Sequence, residues 1–527
     1  MVDMIPTQDG HDSDAVDVSM ESTPHHSIRL RRRRNFLTSP LLRIPTELVS
    51  DIFAHAIDIE SNDNGPLMLV LTAVCHQLRE IGITSPQLWS TVDLTTPPIA
   101  ELFLKRCKYD PHALIWSQFT SERRLAYPTK KPESEVIWEK LEGCTFNNLR
   151  SLGFEGNEYG FTRRIVGVLR RAPNISNLDL DNVDNALYSH NRELPWPSGS
   201  PIPNLSTLRL RHFSINWTSP VLRNLSQLTL DLASPGPFTH SSEQTTAEIF
   251  LTALANCPNL EILNLTHTGP DLLNGRQDNR DVMIQLCRLR ELSLEFPDPS
   301  RTGYILSHIK YPESTKVAVH VPFKANIDFS EAISQILPHQ NIGTVQYFHK
   351  STELNALFDT GCMFSVRNFF VRFRNGIPWG WIDRQAMPRF ASKVVEVVGR
   401  GTITSLGVET QYPNPPGEMW EAFLHGLPRL ERIRYNCTGR GVDFVDSFVL
   451  VLSRPFEGGP VCPQLRHLEL SAEVLTRGTS ATVLNHALAR RNACGRRLKR
   501  IRLCGDAANA DDRLMLEPFL DLVDEVW

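Results

Sequence analysis

The 527-residue sequence predicts an α/β chain: a small all-helical module, then a solenoid with parallel strands on one face and helices on the other. Two observations predict it. The motif Leu-x-x-Leu-x-Leu recurs between residues 149 and 505, with helical stretches between its copies. Ahead of it, residues 37–95 carry apolar residues at i, i+3 and i+4, broken by turn formers.

Composition narrows the function classes. Hydrophobic residues make up 41% of the chain, enough for a sizeable core, and the formal net charge is −4. Nothing global therefore points to nucleic acid or to an anionic membrane. No apolar run approaches the ~20 residues that span a bilayer. The acidic, polar N-terminus is not a secretory signal. The 10 cysteines are scattered, without a Cys-x-x-Cys pair. Cys257, Cys287 and Cys462 fall at apolar positions of the repeat, so reduced, buried thiols are expected.

Taken in order, residues 1–36 form a tail rich in Asp, Ser, His and Pro, which is expected to be disordered. It ends in Arg29-Leu30-Arg31-Arg32-Arg33-Arg34. Such a run suits nuclear import or a solvated linker, so the expected compartment is cytoplasmic, nuclear or both.

Residues 37–95 form the helical module. It starts at Ile44-Pro45-Thr46-Glu47-Leu48, with proline where its missing N–H costs nothing and an acid at the positive helix end. Leu48, Val49, Ile52, Phe53 and Ala56 give the helical stripe. A loop of turn formers, Ser61 to Pro66, precedes a second helix with Leu67, Leu71, Val74, Cys75, Leu78 and Ile81. Pro86-x-Leu88-Trp89 closes the unit. A module this small builds little core alone and must dock something. Its residues also fit an ordinary helical hairpin around a buried tryptophan.

The order and spacing of these elements resemble an F-box, the helical module that binds the Skp-type adaptor of cullin ubiquitin ligases, in its fungal F-box-like variety. The resemblance implies that Ile44, Pro45, Leu48, Ile52, Phe53, Val74, Cys75, Leu78 and Trp89 carry the adaptor contact or its immediate support. Leu78 stands where the family usually has tryptophan, which shrinks an aromatic contact.

Residues 96–148 are expected to hold a linker and the first helical and capping units, with a helix from Pro97 to Lys108. The repeat runs from 149 to 505. Its clearest copies contain Leu178-Asp179-Leu180, Leu208-Arg209-Leu210, Leu228-Thr229-Leu230, Leu263-Asn264-Leu265 and Leu292-Ser293-Leu294. Later copies centre on Arg434, Glu469 and Arg502. Period two inside the motif makes each a half-buried strand. Helices are expected at 161–171, 247–256, 418–425, 443–452 and 481–490. One such unit cannot bury its own face, and stacking supplies the core. Residues 301–400 lose the leucine signature. Continuation of the array is expected there through strands at Val317–Val321, Thr344–Phe348 and Phe369–Phe373, with an inserted domain as the other reading. Residues 506–527 are expected to cap the end.

No His-Glu-x-x-His, phosphate-cradling loop or Gly-x-Ser-x-Gly elbow occurs. No catalytic residue, cofactor or metal ligand set is therefore expected, and an enzyme on a repeat frame is the weaker alternative. What remains is a surface. The middle residue of each Leu-x-Leu faces the open side, giving the row Asp179, Arg209, Thr229, Asn264, Ser293, Arg434, Glu469 and Arg502. A neighbouring row is Asp181, Arg211, Asp231, Thr266 and Glu295. Mixed charge suits a protein partner. Arg209, Arg211, Arg434 and Arg502 also have the fork geometry that holds phosphate.

Over most of its length, closest at Leu42–Leu94, less so at Leu149–Phe296 and Leu427–Leu503 and least between them, the chain resembles F-box proteins with leucine-rich repeats. The resemblance implies the substrate-recognition subunit of a cullin-type ligase, joined through a Skp-type adaptor to a cullin scaffold, with ubiquitin transfer done by other subunits. The residues alone leave open a leucine-rich-repeat scaffold outside ubiquitin ligation.

Overall fold

The computed structural model describes residues 24–40, 43–59, 64–117, 138–156, 161–182, 192–193, 202–232, 246–270, 283–296, 298–312, 314–323, 353–358, 361–366, 369–375, 386–398, 403–410, 416–437, 446–454, 461–476, 479–504 and 517–526. The chain divides into two compact units. One comprises Met1–His112 and Lys130–Thr145, the other Ala113–Thr129 and Phe146–Trp527. This moves the expected boundaries. The helix predicted for the linker belongs to the first unit, and the sheet unit starts near 113 rather than 149.

The first unit holds α1 (Pro24–Thr38), α2 (Thr46–Ile59), α3 (Asn64–Val74), α4 (His76–Thr84), a 3-10 turn at Pro86–Trp89 and α5 (Pro97–Arg106). α1 corrects the expectation of disorder up to residue 36. Arg and Leu are good helix formers, and they extend a helix that has no apolar face to bury. Gly65 and Pro66, expected in a loop, lie in the first turn of α3, where proline loses no hydrogen bond.

Val49, Phe53, Met68, Leu78, Ile81, Leu88 and Trp89 form the core of this unit, together with Phe103 of α5. Trp89 is 1% exposed. Its Nε1–H donates to the Gly82 carbonyl at 2.6 Å. The Phe103 ring meets it edge-on at 4.8 Å, and the Arg106 guanidinium lies 4.7 Å from its ring centroid. Gly82 is needed where α4 crosses α3, because a Cβ there would stand 2.6 Å from Thr72 Cγ2.

The second unit is an α/β body with a large, mostly parallel sheet. Its strands are β1 (Ala113–Ser117), β2 (Ser151–Gly156), β3 (Asn177–Asn182), β4 (Thr207–Arg211), β5 (Gln227–Asp231), β6 (Ile262–Thr266), β7 (Glu291–Glu295) and β8 (Lys316–Phe323). Then come β9 (Glu353–Phe358), β10 (Gly361–Val366), β11 (Phe369–Asn375), β12 (Ser405–Thr410), β13 (Arg432–Cys437), β14 (His467–Ser471), β15 (Leu498–Cys504) and β16 (Val523–Val526). From β1 to β8 each strand pairs in parallel with the next. The same holds from β12 to β16.

Between these runs the repeat is replaced by a meander. β8 pairs in parallel with β11, β11 antiparallel with β10, β10 antiparallel with β9, and β9 in parallel with β12. The sheet therefore continues through residues 301–400, as expected, but by a three-stranded antiparallel insertion instead of further repeats. Strands at Val317 and Phe369 are present; Thr344–Phe348 lies outside the described residues.

Helices follow many of the strands: Phe161–Arg171, Ala247–Ala255, Pro299–His308, Ala386–Val398, Gly417–Gly426, Ser447–Ser453 and Ser480–Ala493. Local chemistry starts them. Thr246 Oγ1 accepts from the Ile249 N–H at 3.3 Å, and Asp298 from the Ser300 N–H at 3.0 Å with Pro299 just inside the helix. The leucines of each motif are buried, from Leu178 and Leu180 through Leu292 and Leu294 to Leu468 and Leu470. Later repeats use aromatics, as Trp420 packs edge-on against Tyr435 and Phe448.

Two polar groups tie repeats together from within. Asp446 accepts from the Phe448 N–H at 2.9 Å and from the Tyr435 hydroxyl at 3.2 Å, while its own N–H donates to Ser480 Oγ at 2.8 Å. Arg491 is 1% exposed. Its guanidinium donates to the carbonyls of Val461, Cys462 and Leu465 at 2.6, 3.0 and 3.3 Å. Burial pushes the thiols of Cys257 and Cys462 up to about 11 and about 12. Cys287 is exposed, against expectation, because it lies on the turn before β7 rather than at a core position.

Candidate interaction surfaces

α2 carries apolar side chains on two sides. Val49 and Phe53, four residues apart, face the core. Leu48 and Ile52, also four apart, face outward with 52% and 47% of their surface exposed. Ile44, Pro45, Leu48 and Ile52 line one shallow groove, together with Pro40, Arg43, Asp51 and His55. Val70 and Val74 make a second outward pair, one turn apart on α3. Cys75 is half-buried and extended, at the start of α4.

The nine residues expected at an adaptor contact or its support therefore separate. Ile44, Pro45, Leu48, Ile52 and Val74 are accessible in whole or part. Phe53, Leu78 and Trp89 are buried, so they hold the unit together from inside. Leucine at 78 is a core residue, 3% exposed. Most of the large apolar side chains exposed among the described residues belong to this first unit.

On the sheet, register aligns the expected row. Gly153, Asp179, Arg209, Thr229, Asn264 and Ser293 stand opposite one another across successive strands. Gly407, Arg434, Glu469 and Arg502 do so on the far side of the insertion. Their strand neighbours are buried, apart from the half-buried Leu503, whereas they are half-buried or exposed. The second row, Asp181, Arg211, Asp231, Thr266 and Glu295, is aligned in the same way.

The early strands of this face neutralise themselves. Asp179 pairs with Arg209 at 3.4 Å and Arg211 at 3.5 Å; Asp181 pairs with Arg211 at 3.3 Å and with His212 Nδ1 at 2.7 Å. His212 and His267 both follow their strands in the left-handed region, with φ of 62° and 55°. Burial holds His267 below the usual histidine value, opposed by the Glu295 and Asp231 carboxylates. Neither His267 Nδ1 nor Asn264 Oδ1 has a hydrogen-bond partner among the described residues.

The sequence reading missed Arg432, His467 and Arg500, which stand opposite one another two residues before the Arg434 row. Period two counted back from Arg434, Glu469 and Arg502 is the signal that marks them. Among the described residues no group of histidine, cysteine or carboxylate side chains could hold a metal ion. Nor is any helix among them long and apolar enough to cross a membrane.

No family model matches the chain, and no curated protein matches it. Among solved structures, it is similar to the leucine-rich repeat-containing protein LegL7 from Legionella pneumophila at 11% identity, over 74% of this chain and 95% of that one. The TM-score is 0.29, too low for that likeness to carry an argument.

Proposed function

We propose that this chain is the substrate-recognition subunit of a cullin-type ubiquitin ligase. The first unit acts as an F-box-like module that docks a Skp-type adaptor. The second, a leucine-rich-repeat solenoid, holds a protein substrate on its open strand face. One observation carries the reading: Leu48 and Ile52 face solvent, about 100° around α2 from the buried Val49 and Phe53, next to Pro45. An apolar helix face left outside a complete core is what a partner covers. The mixed charge of the strand face supports a protein partner there. The chain supplies proximity and orientation, and other subunits supply the chemistry.

Capture of a purified Skp-type adaptor by the wild-type chain and by Pro45→Ala/Leu48→Ala tests the proposal. Wild type retains adaptor and the variant loses most of it. A wild-type chain that captures none leaves an interaction scaffold without a ligase role.

A further inference from the structure

The arginines of the strand face divide into two groups. Arg209 and Arg211 on β4 are engaged by Asp179 and Asp181. Arg432 and Arg434 on β13 and Arg502 on β15 are exposed and have no ion-pair partner among the described residues. Arg500 is held by Glu525 at 2.6 Å. Arg466, just before β14, and Lys499, on β15, add two more exposed cations. Against them on these three strands and their leading residues stand Glu431 and the half-buried Glu469, with the exposed Glu409 on neighbouring β12; on neighbouring β16 the exposed Asp524 and Glu525 pair with Arg497 and Arg500. Positive charge is in excess.

Register fixes the layout. His467 stands between Arg432 and Arg500, and Glu469 between Arg434 and Arg502. Adjacent strands lie about 4.8 Å apart and alternate residues of a strand about 6.6 Å apart. The arginines thus frame a patch about 10 Å across the strands and 7 Å along them. Burial lowers the pKa of His467 first, and Arg432, Arg500 and Lys499 lower it further, opposed by Glu431. Among the described residues of β13, β14 and β15 no large apolar or aromatic side chain is exposed, so neither an apolar partner nor stacked bases find a platform.

We propose that this patch binds an extended anionic segment of a protein partner, acidic or phosphorylated, laid across β13, β14 and β15. Guanidinium forks hold carboxylate and phosphate alike in bidentate fashion. Glu469 at the centre favours anions spaced to straddle it over an unbroken polyanion. The proposal deepens the reading of the strand face as the substrate-holding surface and does not depend on adaptor docking.

Fluorescence anisotropy with the full-length chain tests it. The probes are a short labelled Ser/Gly peptide with phosphoserines at alternate positions, its aspartate copy, its neutral serine copy, and an oligothymidine of equal length. The charged peptides are expected to bind at least about tenfold tighter than the neutral one, and Arg434→Ala/Arg502→Ala to weaken them about tenfold. Lys105→Ala, on the first unit and paired there with Glu101, is expected to leave them unchanged. Tighter binding of the phosphoserine peptide assigns phosphate, and equal binding assigns carboxylate; both uphold the proposal. It is overturned by charged peptides that bind no better than the neutral one, by affinities indifferent to Arg434 and Arg502, or by oligothymidine binding tightest. Adaptor capture by the same preparations is a separate readout: its loss with peptide binding intact removes the ligase reading alone.

Discussion

Phe53 and Leu48 leave α2 on different sides: Phe53 is 3% exposed and Leu48 is 52% exposed. Both are large apolar residues of one helix, and they do different work. Phe53→Ala is expected to cost about 3–5 kcal/mol, because the cavity stays partly open. Leu48→Ala is expected to change stability by no more than about 0.5 kcal/mol. Denaturant unfolding followed by tryptophan fluorescence compares the two. Equal losses would mean that Leu48 is part of the core.

Arg491 organises the turn before β14 by donating to three backbone carbonyls. Arg491→Met keeps much of the side chain's volume and removes every donor. Buried acceptors left without partners cost about 1–3 kcal/mol each, so a loss of at least about 2 kcal/mol is expected. Hydrogen exchange across residues 461–470 reads it locally. Unchanged protection there would deny the guanidinium this role.

Histidine burial gives the sheet unit a pH dependence. His267 and His467 both have folded values below the ordinary 6.5. The unfolded chain then takes up protons at higher pH than the folded one. This stability is fully present above about 6.5 and is lost as pH falls from there toward the folded values. Thermal unfolding from pH about 7.5 to about 5.5 is expected to show the decline. His267→Gln/His467→Gln should flatten it, and an identical slope in the variant would assign the decline to other groups.

Much of the sheet was legible in the sequence, because Leu-x-Leu alternation fixes which residues are buried. Asp179, Arg209, Thr229, Asn264 and Ser293 align as that alternation requires. The insertion at β9–β11 was not legible. An antiparallel meander alternates with the same period as a repeat strand, and nothing in Phe369–Phe373 tells which neighbour it takes. Nor did periodicity sort the helical unit. Leu48, Val49, Ile52 and Phe53 form one broad stripe on α2, and only packing divides it into a core side and an outer side. For the same reason the sequence grouped Leu78 and Trp89 with the accessible residues without telling contact from support, and both are interior.

The outer side of α2 is where the account is most exposed to test. Isothermal titration of a purified Skp-type adaptor into the full-length chain, wild type against Leu48→Asp/Ile52→Asp, measures it directly. The account predicts saturable binding to wild type and a loss of at least about a hundredfold in the variant, roughly 2.7 kcal/mol. The variant should unfold as wild type does, since neither side chain is buried. Equal affinity for both chains, or no binding to either, would contradict it.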